Sequence, residues 1–203
     1  MIRSPILKFG VILFIICLFS AAFLAGINLL TKEKIALQKY QVEQKALGEV
    51  MPEAAEFDAV KKGKETLYYE ALDREKNVLG FCFIALGKGY SGVISTMVGM
   101  RKDGKINVIK ILSQSETPGL GAKIIELASS VTLFEAMTGK AKKDEKQKPW
   151  FEERFNNKKL DELDTVDAIT GATISSGAVI KSVKEKAEEI IKAVASREWR
   201  EKI

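Results

Sequence analysis

The chain has 203 residues, of which 46% are hydrophobic and 29% charged, and that composition predicts a folded protein rather than a disordered or collagen-like one. It contains no histidine and only two cysteines, Cys17 and Cys82, which excludes histidine-ligated haem, histidine–zinc sites, Ser-His-Asp triads and four-cysteine iron–sulfur clusters. Any redox or group-transfer chemistry therefore needs an organic cofactor.

The formal net charge of +5 does not indicate a nucleic-acid-binding protein. Arg3 and Lys8 supply two of those charges, which leaves +3 for residues 31–203. The densest basic cluster, at residues 140–148, also contains two acids and has no aromatic residue. That pattern predicts a solvated loop, and no nucleic-acid partner is expected.

Residues 9–30 form an uncharged run in which 14 of the 22 residues are Leu, Ile, Val or Phe. As a helix they reach roughly 33 Å, which is enough to cross a bilayer core of about 30 Å. A cleaved signal peptide is the alternative, but its apolar region is usually only about 7–15 residues long. We therefore predict an uncleaved transmembrane helix in the cell (inner or plasma) membrane. Arg3 and Lys8 predict that residues 1–8 are cytoplasmic and the main domain extracytoplasmic.

The next segment, residues 31–50, has apolar residues at helix-compatible spacings, and Pro52 ends the pattern. It is predicted to be a helix that continues out of the membrane. Two interpretations are open: a stalk or partner-binding face, and a helix that packs on its own domain. Residues 31–65 together are assigned to a helical stalk and lead-in.

From residue 66 the pattern changes to that of β-strands, with apolar runs at 67–71, 78–85, 93–100 and 106–112. Asp103-Gly104 predicts a two-residue hairpin turn with positive φ at both central positions. The four runs predict an antiparallel sheet, and helices follow later in the chain, so the fold class is α+β. Cys82 lies inside a strand and is interpreted as a small buried hydrophobe rather than a reactive thiol.

Three helical or compact segments are expected after the strands. Residues 119–130 are predicted to be a short helix, and residues 149–155 a compact aromatic segment. The last helix is predicted over 176–197, because one apolar stripe recurs at helical spacing. That stripe consists of Val179, Ile180, Val183, Ala187, Ile190, Ile191 and Val194.

Glycine and hydroxyl side chains concentrate in three segments, at 87–92, 115–121 and 167–176. The third places four hydroxyls beside the start of the last helix, where unpaired N–H groups and the helix dipole favour an anion. Small residues at 171 and 172 let a bulky group approach the backbone. A phosphate site is one interpretation. The alternative is that Ser175 or Ser176 is an ordinary N-cap of the helix.

Two of these segments carry a family resemblance. Asp167-x-x-Thr170-Gly-Ala-Thr173 resembles the Asp-x-x-[Ser/Thr]-Gly-Ala-Thr flavinylation motif, in which the last threonine carries FMN through a phosphoester. Glu116-Thr-Pro-Gly-Leu-Gly121 resembles the flavin-contacting loop of the same FMN-binding domain family. With its N-terminal anchor, the chain resembles the family of G subunits of the Rnf ion-translocating electron transport complex. A related family comprises the C subunits of the sodium-pumping NADH:quinone reductase.

The resemblance implies a role for each matching residue. Thr173 would carry covalent FMN, and a separate flavin transferase would recognise Asp167, Thr170, Gly171 and Ala172. The isoalloxazine ring would be lined by Glu116, Thr117, Gly119 and Leu120, while Ser175 is a reserve candidate for a phosphate contact. Many relatives carry histidine near this loop where this chain has Gln114 and Ser115, so the local flavin contacts differ here. No catalytic side chain and no metal ligand is implied.

The expected protein is therefore a membrane anchor followed by an extracytoplasmic FMN-binding domain over residues 66–203. The resemblance implies that it relays electrons within a complex that couples ferredoxin–NAD redox chemistry to ion transport. Expected partners are the other Rnf subunits, the flavin transferase and membrane lipid. Two alternatives are the C subunit of the sodium-pumping quinone reductase, and a membrane-tethered sensor or assembly module with an FMN-binding fold.

Overall fold

A computed structural model describes residues 5–63, 65–126 and 149–201. It contains the following helices and strands: α1 (Pro5–Val50), β1 (Glu56–Lys62), β2 (Glu65–Leu72), β3 (Val78–Lys88), β4 (Val93–Arg101), β5 (Ile106–Ser113), α2 (Trp150–Glu153) and α3 (Thr173–Glu201). Short 3-10 helices cover Gly121–Ile125 and Asp161–Thr165. The chain divides into two compact units, Met1–Val42 and Glu43–Ile203. The predicted α+β class is confirmed.

The first unit is the α1 segment up to Val42. Its residues 7–30 are exposed along the whole length of the helix, although most of them are apolar. Within the described part of the chain, α1 is the one helix long and apolar enough to cross a bilayer. Apolar side chains that face outward on every side of a helix suit a lipid environment, where the backbone hydrogen bonds are satisfied internally. By length and composition, the helix fits the predicted membrane anchor.

The second unit is built on a five-stranded antiparallel sheet with strand order β1-β2-β3-β4-β5. Side chains alternate between its two faces, as the pleat of a strand requires. On β3, Phe81 and Phe83 belong to one buried cluster, while Cys82 belongs to a second cluster. The domain therefore has a core on both faces of the sheet. Cys82 is fully buried, which agrees with its interpretation as a core residue.

Helix α3 covers the Phe81 face, and its predicted apolar stripe supplies the packing. Four stripe residues have no exposed surface: Val179, Val183, Ala187 and Ile190. Ile180 and Val194 are partly buried against the same cluster. Ile191 is the exception, since 41% of it is exposed. The helix begins at Thr173 rather than at the predicted residue 176, and this moves the start of the helix onto the flavinylation-like motif.

The opposite face of the sheet is covered by the C-terminal turns of α1, where Ala46, Leu47 and Val50 are buried. The Val50 carbonyl accepts a hydrogen bond of 2.9 Å from the Asn107 side-chain amide. A Cβ on Gly99 would lie 2.5 Å from that carbonyl oxygen, so glycine is needed for this close approach. This end of α1 therefore packs on its own domain, which was one of the two interpretations of residues 31–50. The division at residue 42 differs from the boundary expected at residue 66.

Strand β1 was not predicted from the sequence. Its residues, Glu-Phe-Asp-Ala-Val-Lys-Lys, include four charged ones, and its register with β2 shifts between Val60 and Lys61. It pairs with β2 alone at the edge of the sheet. Charged side chains and bulges are typical of edge strands, because they discourage pairing with another chain. The same features remove the apolar alternation by which a strand is recognised.

The Asp103-Gly104 hairpin exists, but the predicted turn type was wrong. Gly104 has a φ of +80°, whereas Asp103 has no positive φ. The Gly104 N–H donates to the Arg101 carbonyl, and the Arg101 N–H donates to the Lys105 carbonyl. This is a three-residue loop, in which a type I turn is followed by one left-handed glycine. One residue with positive φ is enough to close it.

Three other expectations concern the residues that follow β5. The helix predicted at 119–130 is a short 3-10 helix over Gly121–Ile125, and residues 127–130 lie outside the described residues. The solvated loop predicted at 140–148 also lies outside them. The aromatic segment predicted at 149–155 contains α2, in which Phe151 and Phe155 pack edge to face with ring centroids 5.4 Å apart.

Glu152 in α2 is a buried acid that closes the free edge of β5. One carboxylate oxygen accepts the Ile111 N–H at 2.9 Å, and the other lies 3.4 Å from the Lys110 ammonium. Lys110 also lies 3.7 Å from Glu49 of α1. Burial is the largest influence on Glu152 and raises its pKa above the usual value of 4.5. The carboxylate thus satisfies a backbone donor that would otherwise lack a partner.

The raised pKa predicts a pH-dependent effect of Glu152→Gln. Between pH 4.5 and the higher pKa of the folded state, the native protein holds a proton that the unfolded chain has lost, so the wild-type free energy of unfolding falls as pH rises. Glutamine does not titrate, so the stability of the variant relative to wild type should increase through that window and then level off. Urea unfolding across the window measures this difference. A difference that does not vary with pH would contradict it.

Candidate functional site

A cleft of about 350 Å³ opens at the N-terminus of α3. Its walls come from three parts of the sequence: the β3–β4 turn, the loop after β5 and the start of α3. The lining residues are Tyr90, Glu116, Thr117, Leu120, Gly121, Gly171, Ala172, Thr173, Ile174 and Ser175. The volume lies within the roughly 300–1,000 Å³ of small-molecule sites. All three glycine-rich segments found in the sequence therefore meet at one place.

At Gly171 the backbone changes direction just before α3 begins. Its φ is +82°, which favours glycine, and the Ala172 carbonyl accepts the first helical hydrogen bond from the Ser176 N–H. The first helical residues are therefore Thr173, Ile174 and Ser175, whose N–H groups have no acceptor within the helix. These groups and the helix dipole make this end of the cleft favourable for an anion.

The four hydroxyls of the 167–176 segment differ in accessibility. Thr170 and Thr173 are exposed, whereas Ser175 is 1% and Ser176 0% exposed. The Ser176 hydroxyl accepts the Ile169 N–H and donates to the Ala172 carbonyl, so it ties the preceding loop to the helix. Of the four, Thr173 alone is both exposed and part of the cleft lining.

The interpretation of Ser175 or Ser176 as the N-cap was wrong. The helix starts before both residues, and their hydroxyls bond within the first turn or across the cleft wall. An N-cap precedes the first helical residue, a position that Ala172 occupies here. Ala172 is buried and offers no side-chain acceptor. The first N–H groups of α3 are therefore left available for a ligand.

Glu116 is buried in the cleft wall, with 6% of its surface exposed. One carboxylate oxygen accepts the Ser91 N–H at 3.0 Å, and the other accepts the Ser175 hydroxyl at 2.7 Å. The carboxylate thereby connects the β3–β4 turn, its own loop and α3. A Cβ on Gly89 or Gly121 would lie 2.3 Å from a Glu116 oxygen, so both glycines leave the room that the acid needs.

The rest of the loop after β5 presents Thr117 and Leu120 to the cleft. The Leu120 N–H donates to the Thr117 carbonyl at 3.1 Å, and Gly119 between them has a φ of +74°. This tight turn leaves Leu120 53% exposed. Glu116, Thr117 and Leu120 line the cleft, whereas Gly119 shapes the turn and is not part of the lining. Their contact with a flavin ring stays a prediction.

Asp167 and Thr170 lie before the cleft and are exposed, and neither is part of its lining. Arg154 contacts Asp167 twice, through a 2.9 Å hydrogen bond to the carbonyl and a 3.8 Å ion pair with the carboxylate. The Arg154 guanidinium also lies over the Trp150 ring, 4.4 Å from its centroid. The aromatic segment around α2 thus holds the start of the motif in place.

Three lining residues were not among the predicted site residues: Tyr90, Gly121 and Ile174. Tyr90 is 75% exposed and Ile174 58% exposed, and with Leu120 they gather exposed apolar side chains at one cleft, which is a feature of ligand-binding surfaces. Tyr90 and Gly121 belong to the glycine-rich segments at 87–92 and 115–121, so the signal was present in the sequence. Ile174 lies in the third segment, 167–176, but as an apolar residue among hydroxyls it was not singled out there.

The cleft fits a planar ring with an anionic tail. Apolar side chains at its mouth, from Tyr90, Leu120 and Ile174, can pack on an aromatic ring. The N-terminus of α3 can accept a phosphate. Lys123 adds a positive charge beside this end, since its ammonium lies 3.7 Å from where a Cβ on Gly171 would be. FMN has both of these parts.

Comparison with known proteins supports this interpretation. The sequence profile of the FMN-binding domain matches residues 89–188, and that of the RnfG N-terminal region matches residues 1–50. The G subunit of the proton-translocating ferredoxin:NAD(+) oxidoreductase complex of Clostridium ljungdahlii is 31% identical over 185 residues, covering 87% of this chain and 86% of that protein. The chain belongs to the RnfG family.

Two further relatives of the RnfG family match over similar lengths. The G subunit of the Na(+)-translocating ferredoxin:NAD(+) oxidoreductase complex of Acetobacterium woodii is 33% identical, with 88% of each chain covered. The G subunit of the ion-translocating oxidoreductase complex of Shewanella oneidensis is 31% identical, covering 90% of this chain and 88% of that protein. The FMN-binding domain expected from the flavinylation-like motif is confirmed, and the roles of individual residues stay predictions.

Proposed function

We propose that this chain is the flavoprotein subunit of a membrane complex that couples electron transfer between ferredoxin and NAD to ion translocation. Relatives with matching length are named as the G subunits of such complexes, and this supports the Rnf-type interpretation over the C subunit of a quinone reductase. The proposed partners are the other subunits of the complex, and the membrane anchor would hold this chain in the same bilayer as its membrane partners. When bound, FMN supplies the electron-accepting and electron-donating chemistry that the side chains lack.

The proposed attachment point is the Thr173 hydroxyl. The observation that carries it is that Thr173, alone among the four motif hydroxyls, is exposed and lines the cleft. The hydroxyl oxygen would attack the FMN phosphorus of FAD, so that a Thr173 Oγ1–P bond forms, the diphosphate bond breaks and AMP and the hydroxyl proton leave. A separate flavin transferase would run this reaction. The exposed Asp167, Thr170 and Gly171 are available for it to recognise, while the buried Ala172 lets the chain pack closely.

Each part of the cleft has a proposed role toward the attached cofactor. The free N–H groups of Ile174 and Ser175 would hold the phosphate, and Lys123 would balance part of its charge. Thr117, Leu120 and Tyr90 would pack against the ring and limit its motion. A phosphoester at one end leaves the ring edge at the mouth of the cleft, where it can exchange electrons with a neighbouring protein of the complex.

Covalent attachment is tested by in-gel flavin fluorescence. The full chain is produced together with the transferase, denatured, and separated on a gel under ultraviolet light. A fluorescent band at the mass of the chain is expected, with a mass increase equal to one FMN phosphoester on the peptide that contains Thr173. A dark band from cells that contain active transferase would contradict the proposal.

The proposed orientation has a cytoplasmic N-terminus and an extracytoplasmic domain, because Arg3 and Lys8 flank the apolar run on its short side. Lys181→Cys in a Cys17→Ser background tests it, since the Lys181 side chain is 76% exposed. Cys82 does not interfere, because burial raises the pKa of its thiol to about 12. A membrane-impermeant maleimide should label this variant in intact spheroplasts. Labelling only after lysis would show that the domain is cytoplasmic, which contradicts the proposed orientation.

A further inference from the structure

Glu116 is the charged residue of the cleft wall. Of the lining residues, it alone carries a carboxyl, ammonium or guanidinium group, since the others are apolar, glycine, hydroxyl-bearing or the Tyr90 phenol. Family resemblance assigns it to the lining of the flavin ring. Its carboxylate is instead turned into the wall, toward Ser91 and Ser175.

The hydrogen bonds around Glu116 suit a carboxylate anion. Both oxygens accept a donor, one from a backbone N–H at 3.0 Å and one from a hydroxyl at 2.7 Å. Donors aimed at both oxygens stabilise the charged form. Among the described residues, no lysine or arginine forms an ion pair with Glu116. Within the described part of the chain, the partners of the carboxylate are therefore neutral dipoles.

The surroundings also fix the position of this charge. Gly89 and Gly121 each approach a different carboxylate oxygen so closely that a Cβ would be 2.3 Å away. The Gly121 position would also bring a Cβ within 2.6 Å of the Ser175 hydroxyl oxygen. The carboxylate cannot swing aside without displacing the loop or α3. A fixed charge in a largely water-excluded wall acts more strongly than one in solvent.

We propose that the buried Glu116 carboxylate lowers the reduction potential of the flavin in this cleft. The inference rests on the proposed function, since it requires FMN to occupy the site. Uptake of two electrons and one proton by the oxidised ring leaves a reduced ring with one negative charge. A fixed negative charge in the same wall raises the free energy of that product relative to the oxidised ring. Glu116 is thus a positioning residue that also sets the electrostatic environment of the cofactor.

Glu116→Gln isolates the charge from the contacts. Glutamine has the same size, and its amide can still accept the Ser91 N–H with its oxygen and donate to the Ser175 hydroxyl with its nitrogen. The flavin-loaded full chain in detergent is titrated with dithionite and redox mediators while its absorbance is followed. The equilibrium constant for reduction should increase on the order of tenfold, which corresponds to about +30 mV for a two-electron couple.

Two further variants separate charge from structure. Glu126→Gln removes an exposed acid of the same segment outside the cleft lining and should leave the potential unchanged. Glu116→Asp keeps the charge but shortens the side chain, so it should retain a potential close to wild type even if the loop loosens. A wild-type potential in Glu116→Gln that carries flavin would overturn the proposal.

The outcomes for folding and flavin loading are also decisive. If Glu116→Gln does not fold, Glu116→Asp decides between the outcomes. A reduction potential near that of wild type supports the proposed role of the Glu116 charge. A tenfold increase in the equilibrium constant for reduction, although the charge is retained, overturns that role. Absence of flavin from the wild-type chain would instead refute the proposed function, and in-gel fluorescence distinguishes that failure from a wrong account of Glu116. Thermal unfolding of each flavin-loaded variant measures separately how much the substitution at position 116 changes the stability of the fold.

Discussion

Thr173→Ala is expected to abolish covalent flavin and, with it, electron transfer through the assembled complex. The substitution removes the one side-chain hydroxyl of the 167–176 segment that is both exposed and part of the cleft lining. Without it, the transferase has no acceptor at this position and the cofactor is held only by non-covalent contacts. In-gel fluorescence should fall to background, and ferredoxin-dependent NAD reduction by the purified complex should fall with it. Because Thr173 is an exposed surface residue, stability should change by no more than about 0.5 kcal/mol.

The neighbouring hydroxyls should not replace Thr173 as the flavin attachment point. Ser175 and Ser176 are at most 1% exposed, and each donates its hydroxyl proton within the fold, to Glu116 and to the Ala172 carbonyl respectively. A transferase could reach them only if the first turn of α3 unwound. Thr170 is exposed, but it is not part of the cleft lining.

Two control variants sharpen this experiment. Thr173→Ser keeps a hydroxyl at the same backbone position and should retain fluorescence and electron transfer. Thr165→Ala removes another exposed threonine hydroxyl, which lies two residues before the motif, donates to the Glu162 carbonyl and is not part of the cleft lining, and it should change neither readout. Electron transfer at the wild-type rate in flavin-free Thr173→Ala would mean that FMN at this site is not on the electron path.

Much of the fold follows from local sequence patterns. The anchor, the strands β2 to β5 and the apolar stripe of α3 each show a hydrophobic period that matches their element. The exceptions have specific physical causes. Strand β1 carries charge because it lies at a sheet edge, and the Asp103-Gly104 loop closes with one left-handed residue instead of two. α3 starts earlier than its apolar stripe because Thr173 to Ser175 face the cleft rather than the core.

The candidate site was predictable by segment but not by side chain. Glycine-rich loops at 87–92 and 115–121 and the flavinylation-like motif all meet in the cleft, as their composition suggested. The orientation of Glu116 depends on Ser91, which is 25 residues away in sequence, and on Ser175, which is 59 residues away. Contacts of that range are created by the sheet and by the packing of α3. Local sequence patterns do not encode them, so the direction in which the Glu116 carboxylate points could not be predicted from the sequence.

The packing of α3 on β3 predicts the second large effect, a loss of stability in Gly87→Ala. A Cβ at Gly87 would lie 2.5 Å from the Ala178 carbonyl oxygen, 2.9 Å from the Ala178 carbonyl carbon and 3.0 Å from the Ser182 hydroxyl oxygen. Two of these atoms are helix backbone, which cannot rotate away as a side chain can. The helix must therefore move off the sheet by roughly 1 Å, and overpacking of this kind costs about 1–3 kcal/mol.

That movement should also reach the cofactor site, because Ala178 and Thr173 lie on the same helix within two turns. A displaced α3 carries Thr173 and Ser175 away from the loop that holds Glu116, so flavin loading should decrease together with stability. A loss of about 1–3 kcal/mol lowers the midpoint of thermal unfolding by roughly 2–12 °C in a domain of this size. Thermal unfolding and in-gel fluorescence of the same preparation measure both effects.

Gly177→Ala is the matched control for Gly87→Ala. Gly177 lies in the same helix, next to Ala178, but a Cβ there would have no other atom within 4 Å. Alanine in a helix is more favourable than glycine by up to about 1 kcal/mol, so this variant should be as stable as wild type or more stable, with normal flavin loading. If Gly87→Ala unfolded at the wild-type temperature, the close contact between β3 and α3 could not be what holds the attachment residue at the cleft. A loss of stability in both variants would point to the helix itself rather than to its contact with the sheet.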